Sequence, residues 1–439
     1  MKIMKFGGTS VGSPQRIKNV AEIITKSKGN FVVLSAMSGT TNSLVEICDY
    51  LYKKNVEGAI ETIGRLEAKY RKHIEELYSD ASCKKSALDY VIGVFSHLQT
   101  MTGQLFSQTQ EKIVVAQGEL ISTHLMYFYL KEKGVDVRLL PALDFMKIDA
   151  YGEPDLEYIR EKITAILADE QDAALYLTQG FICRNIHDEI DNLLRGGSDY
   201  SASLIGAAVG AEEIQIWTDI DGMHNNDPRI VDGTKAVRHL HFDEAAELAY
   251  FGAKILHPTC IQPAKFANIP VLLLNTMDPE APGTLINNIQ EAGTIKAVAV
   301  KDNITAIRIK SSRMLLAYGF LRKVFEIFES YQTSIDMIST SEVGVSLSID
   351  NTTHLNNIVH DLKKYGTVNV DLDMCIICVV GDMDWENVGF ESRALEAMKD
   401  IPVRMISYGG SNNNISLLVK GEDKVNALRS LSKNLFENA

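Results

Sequence analysis

Two stretches carry side chains suited to phosphate chemistry. In the first, Lys5 and Phe6 run into Gly7, Gly8, Thr9 and Ser10. Adjacent residues without Cβ atoms can turn their backbone N–H groups onto one anion, while Lys5 adds charge and the two hydroxyls add donors. In the second, Arg195, Gly196, Gly197, Ser198 and Asp199 precede a run of small residues that reads as a helix, whose positive end would face the same kind of ligand. The spacing excludes two familiar nucleotide loops. G-x-x-x-x-G-K-[ST] needs its lysine after the glycines, and G-x-G-x-x-G occurs nowhere in the chain. Taken alone, the glycine pair could equally be a tight strand-to-helix connection.

The flanking elements place both stretches at strand ends. Ile3, Met4 and Phe6 form a short apolar strand, and Ser13 followed by Pro14 reads as N-cap and first residue of a helix. A second apolar strand covers 31–35 and ends in a Gly-containing polar loop. Helical spacing of Val56, Ile60, Ile63, Leu66, Tyr70, Ile74 and Leu77 predicts a helix over 56–78, and a broken helical stretch covers 86–133. Strands are expected at 137–140, 174–178, 213–217 and 269–274. This is an α/β pattern, in which ligands bind beyond the carboxyl ends of strands.

The last third changes character. Gly319-Phe320 recurs at Gly389-Phe390, Met337-Ile338-Ser339 at Met405-Ile406-Ser407, and Val345-Ser346-Leu347 is echoed by Ile415-Ser416-Leu417. The near-constant offset predicts two copies of one unit built as strand, helix, strand, strand, helix, strand, with helices on one face of an antiparallel sheet.

Composition narrows the partners. The 439 residues suggest roughly three domains, and a net charge of −13 argues against nucleic acid, which needs clustered Lys and Arg. No apolar run is long enough for a membrane span, and the first residues read as a strand rather than a signal peptide, so a cytoplasmic location is expected. Of the six cysteines, Cys375 and Cys378 form a C-x-x-C inside an apolar strand, where positions three apart point to opposite faces; buried thiols are expected. The histidines form no metal-ligand pattern, and no protein metal site is expected.

The string K-F-G-G-T-S-V resembles the opening signature of the aspartate kinases within the amino acid kinase family. R-G-G-S-D-Y-S-A, W-T-D-I-D-G and F-G-A-K-I-L-H-P follow in the family's order, and the duplicated tail is similar to paired ACT domains. The resemblance implies an amino acid kinase fold over 1–292 and ferredoxin-like ACT units over 293–371 and 372–439. It implies phosphoryl transfer from ATP, with Mg2+, to the side chain of L-aspartate. Lys5, Gly7, Gly8 and Asp199 would be catalytic. Ser35, Thr41, Glu119, Phe181, Arg195, Gly196 and Ser198 would hold the substrate, with Arg195 on its α-carboxylate and Glu119 on its ammonium. Lys5, Gly8, Thr218, Asp219, His224, Arg229 and Lys254 would take ATP, with Asp227 nearby; Asp219 and Asp227 could each equally be stabilising a turn. An amino-acid effector, expected to be L-lysine, would meet Met314, Gly319, Phe320, Leu321, Ser334, Ile335, Asp336, Thr340, Ser341 and Glu342. Asp336 and Glu342 would supply negative charge, the alternative being that both are solvated loop acids. ACT units imply a homodimer or a dimer of dimers. Four positions depart from the pattern: Leu194 for glycine, His224 for tyrosine, and Leu316 and Ala317 for histidine and serine. The segment 185–192, acidic and apolar, is expected to close over the substrate in its own way. The remaining alternatives are a kinase for another acid such as glutamate, or a non-catalytic amino-acid sensor.

Overall fold

The computed structural model describes residues 1–169, 173–193, 196–252, 257–311 and 318–437. The expected roles of Arg195, Lys254 and Met314, and the unusual Leu194, Leu316 and Ala317, fall outside the described residues. The chain divides into two compact units, one of Met1–Met223 with Ile255–Asn288, the other of His224–Lys254 with Ile289–Ala439.

The first unit opens with β1 (Lys2–Phe6), α1 (Pro14–Ile24), β2 (Asn30–Leu34), α2 (Thr40–Tyr52), α3 (Val56–Leu77), α4 (Ala81–Met101) and α5 (Gln108–Glu132). Then come β3 (Val137–Leu139), α6 (Leu156–Asp169), β4 (Leu175–Gln179), β5 (Ile182–Arg184), β6 (Ile190–Asn192), α7 (Gly197–Val209) and β7 (Glu213–Thr218). The second unit contributes β8 (His239–His241) and α8 (Phe242–Tyr250), after which α9 (Pro258–Phe266), β9 (Val271–Asn275) and β10 (Thr284–Asn287) complete the first.

Within the first unit the strand order is β3-β4-β2-β1-β7-β9-β10. All pairs are parallel except β9 with β10. The central strands are buried on both faces, and they are largely apolar, with Lys5 and Asn30 as buried polar exceptions. Register aligns Phe6 with Leu34 on one side and Trp217 on the other, and Leu34 with Gln179. The next residues, Gly7, Ser35, Gly180 and Thr218, therefore stand in a row along the carboxyl edge of the sheet. The helix after the glycine turn begins as expected, Ser13 accepting from the Arg16 N–H and Pro14 taking the first position. The apolar stripe of α3 is only partly buried. Ile63, Leu66, Tyr70 and Ile74 enter the core, each such side chain contributing about 1.5–3 kcal/mol, whereas Val56 and Ile60 remain exposed.

In the second unit follow β11 (Ile295–Lys310), α10 (Phe320–Ser330), β12 (Met337–Ser341), β13 (Gly344–Ile349), α11 (Leu355–Leu362), β14 (Thr367–Gly381), α12 (Phe390–Ala397), β15 (Met405–Tyr408), β16 (Asn414–Lys420) and α13 (Lys424–Ser432). They form one antiparallel sheet, β12-β13-β11-β14-β16-β15. The duplication is visible in the cores. Ile307, Phe320, Val324 and Leu347 pack in the first copy, and Ile377, Ala394, Ala397 and Leu417 in the second. The long strands β11 and β14 lie side by side, from Ile295 opposite Gly381 to Lys310 opposite Thr367. Position 372, taken above as the start of the second copy, lies within β14. Cys375 joins the core of the second copy while Cys378 faces away from it, and both are free thiols.

Candidate active site

Strand β1 brings Lys5 to the carboxyl edge with only 8% of its surface exposed. Its Nζ lies 2.6 Å from Asp199 Oδ1, in the first turn of α7. The contact is an ion pair rather than an aligned hydrogen bond, since the same oxygen has no hydrogen-bond partner by geometry. The glycine turn is held from both sides. Gly7 donates to the Trp217 carbonyl at 3.3 Å, and the Gly8 carbonyl accepts from Ser38 N–H at 3.0 Å. A Cβ on Gly8 would stand 2.6 Å from the Ala36 carbonyl oxygen, so the close approach of two backbones requires glycine there. Ser10 does not serve as a free donor. It is fully buried and its hydroxyl meets that of Thr276 at 2.7 Å, leaving Thr9 as the exposed hydroxyl of the turn.

Glu119 reaches the same loop from α5. Its Oε1 accepts from the Ala36 N–H at 3.2 Å, while Oε2 is buried and unpartnered among the described residues. Burial pushes the carboxyl up to about 7, against the opposing pull of the Ala36 hydrogen bond and the Lys5 charge. Ser35 is half-buried beyond β2, and Thr41 is half-buried in the first turn of α2.

The start of α7 is set by Gly196, its N-cap, at φ 72°. A Cβ at Gly196 would collide with Cys260 Sγ and lie 3.4 Å from His257 Cβ, so α9 buttresses this turn directly. Burial pushes the Cys260 thiol to about 12, which makes it a packing group rather than a nucleophile. Ser198 is buried beside the turn. Phe181 holds φ 68°, a left-handed conformation that a bulky side chain keeps only where neighbours impose it. Here Ser201 Oγ accepts from the Phe181 N–H at 2.8 Å and Leu193 N–H donates to its carbonyl at 2.8 Å. The segment 185–192 is not a free loop. It forms the turn and second strand of the β5–β6 hairpin, with Asp191 buried against Lys112.

The residues expected to bind nucleotide divide between the units. At the end of β7, Thr218 Oγ1 donates to Asp219 Oδ1 at 3.2 Å. In the second unit, His224 Nδ1 lies 2.9 Å from Thr234 Oγ1. Arg229 places its fork on Asp227, at 2.9 and 2.7 Å, and this bond holds the Asp227 carboxyl below its usual range. Asp227 also accepts from the Arg229 N–H at 2.9 Å within its own turn. Among the described residues no group of three or more His, Cys, Asp or Glu is arranged to hold a metal.

Of the expected effector residues, Gly319 caps α10, Phe320 is buried and Leu321 half-buried, while Ser334, Thr340, Ser341 and Glu342 are exposed and Ile335 is half-buried. Asp336 is not a solvated acid. Its side chain is 1% exposed, Oδ1 accepts from Lys301 at 2.7 Å and from Tyr250 at 2.8 Å, and Oδ2 is buried without a partner among the described residues. The sequence reading missed Lys301, Tyr250, Cys260 and the clasp of Ala36 and Ser38. All are contacts across long sequence separations, and only the glycine pair hinted at the clasp.

A model of the amino acid kinase family matches residues 1–275, and an ACT domain model matches 377–435. The chain is 35% identical over 459 residues to chloroplastic aspartokinase 1 of Arabidopsis thaliana, covering 99% of this chain and 80% of that protein. It superposes on E. coli aspartokinase III in complex with aspartate and ADP (R-state) with a TM-score of 0.84 and 31% identity, covering 99% of this chain and 100% of the other. The lysine and aspartate complex of the same enzyme (T-state) gives a TM-score of 0.82 and 32% identity over 99% of both chains.

Proposed function

The chain belongs to the aspartokinases, within the amino acid kinase family, and we propose that its first unit transfers the γ-phosphoryl group of ATP to the β-carboxylate of L-aspartate, giving 4-phospho-L-aspartate. Lysine, an end product of the pathway this step begins, acts as feedback inhibitor. The observation that carries the reading is the meeting of Lys5 and Asp199 at the carboxyl edge of the sheet, beside a turn that only glycine fits.

The chemistry asks little of a base. A substrate carboxylate has a pKa near 4 and is ionised at neutral pH, so its oxygen attacks phosphorus directly. Catalysis then rests on positioning and on positive charge at the transferring group. Lys5 supplies that charge, Asp199 holds the ammonium in place, and the Gly8 N–H takes a phosphoryl oxygen while Gly7, its own N–H held on the Trp217 carbonyl, shapes the turn. Glu119 Oε2 takes the substrate ammonium, and Arg195 forks onto its α-carboxylate. Ser35, Thr41, Phe181, Gly196 and Ser198 complete the pocket.

ATP is held through Thr218, Asp219, His224, Arg229 and Lys254. For Arg229 this means releasing Asp227 in part or contacting phosphate with its remaining donors. Magnesium would be held mainly by the nucleotide's phosphate oxygens and water, and would neutralise phosphate charge there.

The catalytic unit corresponds to about 1–292, and the two ACT copies to 293–371 and 372–439. Pairing into a homodimer or dimer of dimers is supported by the edges of the six-stranded sheet, where β12 and β15 carry exposed Ile338, Ile406 and Tyr408. A cytoplasmic location is supported by six free cysteines; no described helix is long and apolar enough to cross a membrane.

The direct test is ADP formation with L-aspartate, L-glutamate or no acceptor. Turnover that requires aspartate supports the proposal, and equal or faster turnover with glutamate refutes the acceptor assignment.

A further inference from the structure

Ser35 and Thr41 stand at the two ends of the short loop that joins β2 to α2, so the shape of residues 36–40 sets the distance and direction between them. The loop has no local means of fixing where α2 begins. Its N-cap is Gly39, at φ 80°, with no side chain to hold the free N–H groups of the first turn. Each helical residue is rotated about 100° from the one before, so a small slip of the start would carry the Thr41 hydroxyl to another face. The register must be imposed from outside.

Two contacts act on the first half of the loop, the Ala36 N–H on Glu119 and the Ser38 N–H on the Gly8 carbonyl. Two more come from consecutive residues of α3. Lys69 Nζ donates to the Ser38 carbonyl at 3.0 Å, and the Tyr70 hydroxyl meets the Thr40 hydroxyl at 2.7 Å. Left-handed Gly39 is thus gripped by α3 on both sides, through the residue before it and the residue after it.

Neither contact is easily replaced by water. Tyr70 and Thr40 are both fully buried, so the loss of one hydroxyl leaves the other in a dry site without its partner. Burial lowers the Lys69 ammonium below its usual range, and its charge-assisted bond to the Ser38 carbonyl stands in for lost hydration. The loop is also seated on α5. A Cβ on Gly118 would lie 2.8 Å from Ala36 Cβ and 3.5 Å from Thr40 Cγ2, one residue before Glu119. Burial raises the Tyr70 phenol well above its ordinary value, the Thr40 bond opposes this, and the Glu119 charge adds to it. The phenol therefore stays protonated and within electrostatic reach of Glu119.

We propose that Lys69 and Tyr70 are positioning residues for the amino-acid acceptor: α3 sets the 36–40 loop so that Ser35, Thr41 and Glu119 converge on one small substrate. This rests on the reading of aspartate as that acceptor. Strands β2 and β7 flank β1 on opposite sides, which separates the loop from Thr218 and Asp219, so its displacement should be felt by aspartate more than by ATP.

The test compares Lys69→Met, which keeps the apolar stem and removes the ammonium, with Lys69→Arg, which can still donate to the carbonyl, and with Tyr70→Phe. KM for each substrate, kcat and Tm are measured, with aspartate binding followed by calorimetry. In Lys69→Met and Tyr70→Phe, KM for aspartate should rise about fivefold or more and the aspartate Kd in parallel, while KM for ATP stays within about twofold. Lys69→Arg should bring KM for aspartate back to within about twofold of wild type. If Tyr70→Phe does not fold, the two Lys69 variants decide. An unchanged KM for aspartate in Lys69→Met, an equal rise for both substrates, or an arginine variant as impaired as the methionine one would overturn the proposal. If the wild-type protein neither binds nor phosphorylates aspartate, the acceptor reading itself fails and the positioning role falls with it.

Discussion

The Lys5 ammonium and the Asp199 carboxylate are 2.6 Å apart, one delivered by the first strand and the other by the first turn of α7. Both side chains are largely buried, so the pair is protected from screening and Lys5 is fixed in direction before substrate arrives. Lys5→Ala should therefore act on kcat. A preorganised electrostatic donor of this kind contributes about 3–4 kcal/mol, or a hundredfold and more in rate. Steady-state kinetics on the folded variant checks it; turnover close to wild type would show that the charge on the phosphoryl group comes from elsewhere.

Glu119 gives a prediction in pH. Its carboxyl is raised from the ordinary value to about 7 by burial, so in the empty protein part of the population is protonated at neutral pH. Substrate ammonium binds the ionised form, and KM for aspartate should fall as pH rises from about 6 to 8. Stability of the empty protein runs the other way. The folded state holds this proton more tightly than the unfolded chain, so the Glu119 contribution is present at low pH and lost as pH rises through about 7. Glu119→Gln should flatten the pH dependence of KM at a high value and remove that part of the stability slope. A variant with the wild-type KM profile would separate Glu119 from the substrate.

Gly8→Ala tests the clasp. The added methyl would meet the Ala36 carbonyl at 2.6 Å, and that neighbour is backbone, so the loop carrying Ser35 must move. The expected cost is on the order of 1–3 kcal/mol in stability, read as a lower Tm, together with a loss of activity larger than the loss of folded protein. Wild-type Tm and kcat would mean the two backbones are not held as close as described.

How much of this was legible in the sequence depends on the range of the interaction. Ser13 and Pro14 announced the start of α1 because a cap is a local event, and the glycine pair announced a close backbone approach without saying what approached. The α/β layering followed from short apolar strands alternating with helical periods. Val56 and Ile60 share the helical period of α3 yet stay exposed, because periodicity marks a face and not what covers it. The 185–192 segment read as a loop because its strands are three residues long, too short for an alternating pattern to register. Asp336 could not be told from a solvated acid, since its partners Lys301 and Tyr250 come from distant strands and helices.

Asp336→Asn should abolish or greatly weaken inhibition by lysine while leaving kcat and KM for aspartate and ATP near wild type. The amide keeps the shape but removes the charge that an ammonium requires and leaves Lys301 to Asp350 alone. Inhibition curves for lysine and threonine, measured separately, decide it. Inhibition by threonine alone, or lysine inhibition untouched by the substitution, would contradict the assignment of this pocket.

The most direct measurement is identification of the phosphorylated product. With ATP, L-aspartate and hydroxylamine present, an acyl phosphate is trapped as a hydroxamate whose position mass spectrometry can read. The β-hydroxamate of aspartate should form in wild type, should require ATP, and should fall by a factor of about one hundred or more in Lys5→Ala. Formation of the α-hydroxamate, of a glutamate product in preference, or of undiminished β-hydroxamate in Lys5→Ala would contradict phosphoryl transfer to aspartate at the Lys5 and Asp199 centre.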